Sequence, residues 1–141
     1  MLKLYLKLTL TVIAFFITCS SPDNILGPAP SGQYVYSSFD STGKMIVKGW
    51  LTLKFTEANE INGKWNFYPV GHPEDIGPQT GNGKLEGSTF HDMLWIELNP
   101  QFRDNNLQLS GNIVDGVFTG RWTWITFSGP TNHGTFTATR Y

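Results

Sequence analysis

Residues 106–125 read NLQLSGNIVDGVFTGRWTWI, and this stretch decides the fold. Its first half alternates apolar and polar residues, the period of a β-strand with one buried face. The inward set of that half is Leu107, Leu109, Gly111 and Ile113. Asp115-Gly116 follows, a dipeptide typical of a two-residue hairpin turn. The second half alternates again, with the inward set Phe118, Gly120, Trp122 and Trp124. The stretch therefore predicts an antiparallel hairpin.

The same texture continues on both sides of this hairpin from Gly32 to Tyr141. Short alternating segments rich in Val, Ile, Thr, Tyr, Phe and Trp are separated by Gly, Asn, Asp and Pro, and no amphipathic helical segment competes with them. The predicted strands are 32–39, 44–55, 61–70, 83–90, 92–98, 106–114, 117–125 and 134–141. Residues 32–141 are therefore expected to form one all-β domain, a single antiparallel up-and-down meander of about eight strands.

Individual faces follow from the alternation. In 44–55 we expect Val47, Leu51 and Leu53 to point inward and Ile46 to point outward with Trp50. Segment 71–82 is expected to be a long polar loop, and residues 80–83, TGNG, are expected to be a turn at its end. Inward glycines let strands bend, so the meander is expected to close as a small barrel.

Three short motifs strengthen the expectation of a barrel: Gly63-Lys64-Trp65, Gly120-Arg121-Trp122 and the terminal segment 134–137, GTFT. On these motifs the domain resembles the avidin and lipocalin up-and-down barrels. The resemblance implies the fold and no particular ligand. Gly32-Gln33-Tyr34 stands where lipocalins carry Gly-x-Trp, and the ordered polar residues with which avidins hold biotin have no counterpart.

The beginning of the chain has the form of a secretory signal. Lys3 and Lys7 precede an uncharged apolar stretch over residues 8–17, which at about 1.5 Å per residue is too short to cross a bilayer. The polar segment after Cys19 completes a resemblance to the lipobox of bacterial lipoproteins, although Phe16 and Thr18 depart from its usual residues.

The lipobox resemblance implies cleavage after residue 18, a diacylglyceryl group on Cys19 and an acyl chain such as palmitate on the new amino terminus. Residues 1–18 are then the signal peptide and 19–31 a flexible tether. Two or three lipid chains hold a protein on a bilayer almost permanently. We expect a lipid-anchored protein of the cell envelope, in the outer membrane of a Gram-negative bacterium because no Asp follows Cys19. The alternative is an ordinary signal peptide with a chance cysteine.

Charge and motifs argue against several functions. Without Lys3 and Lys7 the chain keeps 8 of its 10 basic side chains against 11 acidic ones, a net charge of −3. This balance does not favour nucleic-acid binding, which needs clustered basic residues. His72, His91 and His133 have no zinc-site spacing, and no nucleophile or phosphate-loop motif occurs. We therefore expect no enzyme activity, no cofactor and no metal.

The aromatic residues offer two candidate sites. Five are expected to face inward and could hold a small apolar or aromatic ligand, or could simply form the core: Trp65, Phe67, Trp122, Trp124 and Phe136. Trp50 and Trp95 are expected on the outer face, where exposed tryptophans mark interfaces or cover the sheet as cross-strand pairs. The leading hypothesis is non-enzymatic ligand binding inside the barrel. The alternative is a structural, interaction or inhibitor lipoprotein with a solid barrel that binds a protein partner through its exposed aromatics.

Overall fold

The computed structural model describes residues 31–141, so the predicted signal peptide, the predicted lipidation site Cys19 and the predicted tether up to residue 30 lie outside the described residues. The described chain is a closed barrel of antiparallel strands in sequence order, with the last strand paired to the first. Its eight strands are β1 (Gly32–Phe39), β2 (Met45–Phe55), β3 (Glu60–Pro69), β4 (Gly81–Phe90), β5 (Met93–Glu97), β6 (Asn105–Val114), β7 (Val117–Thr126) and β8 (Gly129–Arg140). The prediction of an all-β, closed, up-and-down barrel is confirmed.

The two ends of the barrel differ. The near end holds Ser31 and Tyr141 together with the turns that follow β2, β4 and β6. There the Tyr141 amide donates to the Gln33 carbonyl at 2.8 Å, and the Arg140 guanidinium donates to the Ser31 carbonyl at 3.0 Å. The far end holds the connections that follow β1, β3, β5 and β7. The described chain therefore begins at the near end.

The hairpin of residues 106–125 has the predicted register, with Leu109 paired to Trp122 and Val114 paired to Val117. Asp115 and Gly116 both have positive φ, 50° and 78°. Positive φ at both central residues is the conformation of a type I′ turn, whose twist matches that of the flanking strands. The Asp-Gly signal in the sequence is confirmed.

One continuous hydrophobic core lies inside the strands. It contains inward residues from all eight strands, among them Tyr34, Leu51, Ile96 and Leu107, each fully buried. A Cβ on Gly120 would overlap the Ser110 carbonyl of β6, so the missing side chain allows the backbones of β6 and β7 to approach closely at this point.

Three details of the prediction are wrong. Ile46 is buried rather than outward, because the β1–β2 register shifts at Ser38 and Phe39 and this bulge turns Ile46 inward next to Val47. Strand β4 begins at Gly81, so most of the expected TGNG turn is strand that pairs with β3 through Phe67. Strand β8 begins at Gly129 instead of residue 134, because a second bulge lets it continue beside β7.

Candidate functional site

The five residues predicted to bind a ligand lie on the inner side of the barrel. Trp65, Phe67, Trp122 and Phe136 are each at most 3 % exposed, and Trp124 is partly buried at the far end. The structure thus brings the first four together in the hydrophobic core, while Trp124 lies at its edge.

The inner rings are packed against one another. Tyr36 stacks on Phe67 with ring centroids 4.0 Å apart, and Phe136 lies 5.7 Å from Tyr36. Trp65 contacts Phe67 at 5.1 Å, and Phe118 meets Phe136 edge-on at 4.7 Å. These separations are those of favourable aromatic pairs. The rings that were expected to line a ligand site therefore occupy the middle of the barrel themselves.

The indole N–H groups are bonded to the protein. The Trp65 Nε1 donates to the Leu98 carbonyl at 2.7 Å, and the Trp122 Nε1 donates to the Phe39 carbonyl at 2.8 Å. Buried indoles normally find such partners, and each bond also ties a strand to the end of another strand or to a loop. These two hydrogen bonds stabilise the barrel.

The loop after β3, residues 70–80, covers the far end of the barrel. Gln79 is completely buried, accepts a hydrogen bond from the Ser38 hydroxyl at 3.0 Å and donates to the Ile76 carbonyl at 2.7 Å. Gly77, with φ 63°, packs so closely on the Trp124 ring that a Cβ would lie 2.5 Å from its Cγ. The polar, proline-containing sequence of this loop does not reveal that it closes the barrel.

Asparagines from two other elements fasten the same loop. The Asn132 amide donates to the Asp75 carbonyl at 2.7 Å, and the Asn99 amide donates to the Pro78 carbonyl at 3.2 Å. Strand β8 and the β5–β6 connection therefore both hold residues 70–80 in place.

Among the buried side-chain nitrogen and oxygen atoms of residues 31–141, the Tyr36 hydroxyl has no hydrogen-bond partner. Burial raises the pKa of this hydroxyl, and the Ser38 hydroxyl nearby offsets part of the rise. Ser38 donates its own hydrogen bond to Gln79 instead. An unpaired buried hydroxyl costs on the order of 1–3 kcal/mol, so the Tyr36 hydroxyl is a locally unfavourable feature of the interior.

The predicted interface residues Trp50 and Trp95 lie on different parts of the outer surface. Across the sheet Trp50 aligns with Asn82 of β4, whereas Trp95 pairs with Ser88. Those two β4 positions are roughly 20 Å apart at about 3.3 Å per residue. The two tryptophans therefore do not belong to one patch.

Trp95 lies toward the near end of the barrel and has exposed apolar neighbours there. It is 42 % exposed and shares an outer face with Met93, which pairs with the 70 % exposed Phe90. Two further exposed rings, Phe102 and Phe127, lie in far-end connections. The sequence prediction missed both of these rings, since a single Phe in a loop has no periodicity that indicates its direction.

The outer surface of residues 31–141 carries grooves on two sides of the barrel. The larger, about 710 Å³, runs over β6, β7 and β8, with Gly111 and Gly120 among its lining residues and Asp40, Arg121 and His133 among its polar groups. The smaller, about 420 Å³, lies over β2, β3 and β4. Its lining is Trp50, Lys64, Trp65, Asn66, Asn82, Gly83 and Lys84.

Residues 31–141 contain no group of three or more His, Cys, Asp or Glu side chains placed to hold a metal ion. His72, His91 and His133 are all exposed. Within the same residues, no helix is long and apolar enough to cross a membrane. No protein family, curated protein or solved structure matches this chain.

Proposed function

We propose that this chain is a lipid-anchored, non-enzymatic binding protein of the cell envelope that meets its partner on the outside of a filled barrel. Its anchor is the lipid on Cys19, in the outer membrane of a Gram-negative bacterium. The observation that carries the proposal is the packed interior, where Tyr36, Phe67 and Phe136 stack in the place that a ligand would take. The barrel then serves as a rigid support for its outer surface.

The position of the chain start supports this arrangement. Ser31 lies at the near end, so a lipid on Cys19 would be connected to that end by a chain that spans at most on the order of 40 Å. The far-end connections, with the exposed rings of Phe102 and Phe127, would then point away from the membrane. Exposed aromatic side chains of this kind are common at the centres of interfaces.

The anchor is tested by Cys19→Ala. We expect the variant to lose incorporation of labelled palmitate and to leave the membrane fraction. Fractionation unchanged by the substitution, with no label in either protein, would contradict the lipid anchor.

The partner is tested by chemical crosslinking in cells that carry the full chain. We expect one discrete crosslinked product. Trp50 and Trp95 lie on separate parts of the outer surface, so the single variants Trp50→Ala and Trp95→Ala will show which of the two surfaces contacts the partner. The double variant should lose the product and keep the thermal unfolding midpoint of the parent, since neither residue belongs to the core. A product that survives in the double variant would remove both residues from the interface.

A second function is favoured by the unpartnered Tyr36 hydroxyl. A small apolar or aromatic ligand with one hydrogen-bonding group could satisfy this atom if residues 70–80 moved away from the far end. The ligand would then lie among Trp65, Phe67, Trp122, Trp124 and Phe136. This function predicts that such a molecule copurifies with the protein and that apolar ligands change the tryptophan emission.

A further inference from the structure

The smaller outer groove has an ordered arrangement of side chains across three strands. Trp50, Asn66 and Asn82 form one row, since Trp50 pairs with Asn66 and Asn66 pairs with Asn82. Lys64 and Lys84 form the next row and pair with each other directly. All five side chains belong to the outward faces of their strands and line the same groove. An aromatic ring, two amides and two ammonium groups are thus brought together by the register alone.

The opposed lysines are an unfavourable element of the sheet. Like charges directly opposite each other on antiparallel strands repel, with Cβ atoms only about 4.5–5.5 Å apart. Neither Lys64 nor Lys84 forms an ion pair among residues 31–141, and no carboxylate lines the groove. The nearest acidic side chain on the same face of β4 is Glu86, which is paired with Asn62 and Glu97.

This positive site contrasts with the remainder of the described domain. Residues 31–141 carry 8 basic and 10 acidic side chains, which is a net charge of −2. Four of the basic side chains nevertheless lie on the outward faces of β2, β3 and β4: Lys48, Lys54, Lys64 and Lys84. An anion bound between Lys64 and Lys84 would relieve their repulsion and would gain charge-assisted hydrogen bonds.

We propose that this groove, referred to below as the Trp50 groove, binds an acidic saccharide. The apolar face of a sugar ring packs on the Trp50 indole, and the amides of Asn66 and Asn82 exchange hydrogen bonds with its hydroxyls. The ammonium groups of Lys64 and Lys84 bind its carboxylate or other acidic group. A volume of about 420 Å³ lies within the ~300–1,000 Å³ typical of small-molecule sites.

Two comparisons within the molecule favour this groove and this ligand. The larger groove over β6 to β8 contains Asp40 as well as Arg121 and has no tryptophan, so it offers neither a uniform charge nor a stacking surface. The Trp50 groove extends to Asn82, at the far-end start of β4. Because this end lies opposite Ser31, it would point away from a membrane that holds a lipid on Cys19, so the ligand is assigned as a free acidic glycan and not as a headgroup of that membrane. This inference deepens the proposed binding on the outer surface, and its choice of a free glycan over a headgroup rests on the proposed lipid at Cys19.

The test is a titration of the full chain, purified in detergent, with oligogalacturonate and with the neutral galacto-oligosaccharide of the same length. We expect saturable binding of the acidic oligomer, accompanied by a change in tryptophan emission, and binding of the neutral one weaker by about tenfold or more. The Lys64→Gln/Lys84→Gln double variant and Trp50→Ala should each weaken acidic-oligomer binding by about tenfold or more. Added salt should weaken binding by the parent protein.

Lys54→Gln is the matched charge control, because Lys54 lies on the outer face of β2 and does not line the groove. It should retain the affinity of the parent. Lys54→Gln and Trp50→Ala should keep the parent unfolding midpoint, and the Lys64→Gln/Lys84→Gln variant should keep or raise it, because it removes the repulsion between the opposed lysines. Absence of saturable binding, equal binding of the neutral oligomer, or equal weakening by Lys54→Gln would overturn the proposal. The last measurement is binding of the protein to phosphatidylglycerol vesicles. If the protein bound these vesicles and not the acidic oligomer, and Trp50→Ala abolished that binding, the assignment to a free glycan would be overturned. The crosslinking readout described above is independent of these titrations, so the two proposals can fail separately.

Discussion

Tyr36 and Phe67 stack in the middle of the barrel with ring centroids 4.0 Å apart and planes inclined by only 8°. Tyr36 also approaches Phe136 of β8, so rings from β1, β3 and β8 meet at one point. Aromatic side chains bury ~150–250 Å² each, so these three rings contribute a large part of the hydrophobic core. The proposed binding therefore takes place on the outer surface.

Removing the Tyr36 hydroxyl tests this packing role. Because the hydroxyl is buried and unpaired, Tyr36→Phe should leave the free energy of unfolding unchanged or raise it by up to ~2 kcal/mol. Phe67→Ala, which removes the stacked ring itself, should cost about 3–5 kcal/mol. Denaturant unfolding of both variants measures these values, and a Tyr36→Phe variant less stable than the parent would show that the hydroxyl has a stabilising partner.

The same residue predicts a change at alkaline pH. Burial raises the pKa of Tyr36 in the folded protein above its ordinary value of 10.0. The neutral Tyr36 hydroxyl therefore contributes fully to the free energy of unfolding below pH 10. This contribution is lost as the pH rises above 10, because the hydroxyl ionises at a lower pH in the unfolded chain than in the folded protein. Between about pH 9 and pH 11 the parent should lose more stability than Tyr36→Phe. Parallel loss in both proteins would contradict the assignment.

Gly77 tests whether residues 70–80 are fixed on the far end. An alanine there needs an unfavourable positive φ, and its Cβ would collide with the Trp124 ring. We expect Gly77→Ala to destabilise the fold by about 1–3 kcal/mol and to speed amide exchange in the loop. Gly71→Ala is the control, because Gly71 has a similar φ of 71° but nothing within 4 Å of the added Cβ. Equal effects of the two substitutions would mean that contact with Trp124 is unimportant.

Substitutions of Trp122 and Trp124 compare a tryptophan in the hydrophobic core with one at its edge. Trp122→Phe removes a fully buried indole and its hydrogen bond to the Phe39 carbonyl, and it should cost about 2–4 kcal/mol. Trp124→Phe removes a partly exposed bond to the Asn105 amide oxygen and should cost about 1 kcal/mol. Thermal unfolding of both variants gives the comparison. Equal costs would contradict the placement of Trp122 in the core and Trp124 at its edge.

Hydrogen bonds in the β1–β2 turn predict that the stability of the fold decreases at acidic pH. One carboxylate oxygen of Asp40 accepts hydrogen bonds from the Thr42 hydroxyl, the Thr42 amide and the Lys44 amide, at 2.7, 2.9 and 3.0 Å. The Thr42 hydroxyl is the largest cause that holds the pKa of Asp40 below its ordinary value of 3.8. The ionised carboxylate therefore stabilises the fold above pH 3.8, and this contribution is lost as the pH falls through the lower folded pKa.

Asp40→Ala should accordingly unfold at a lower temperature than the parent at about pH 7, and the difference should shrink toward about pH 2. Thermal scans over this range measure the difference. A gap that stays constant with pH would mean that Asp40 acts through its uncharged contacts alone.

Most of the barrel could be predicted from the sequence, because apolar and polar residues alternate within each strand. Alternation identified the inward sets of β6 and β7, and Asp115-Gly116 identified their turn. The bulge that buries Ile46 could not be predicted, since it arises from pairing between β1 and β2 and leaves no mark on β2 alone.

The candidate site was less predictable for the same reason. The opposition of Lys64 and Lys84 depends on the register between β3 and β4, which alternation within one strand does not specify. The burial of Gln79 was also beyond prediction, because a polar residue in a loop with Gly and Pro is usually solvated. Both features come from contacts between segments that are distant in the sequence.

Native mass spectrometry of the protein purified from cells tests whether the barrel is filled and binds only on its outside. We predict the mass of the chain from Cys19 onward with its acyl groups and no bound small apolar molecule. A stoichiometric extra mass that is present in the parent and lost in Tyr36→Phe would contradict this account and would place a ligand in the interior beside Tyr36.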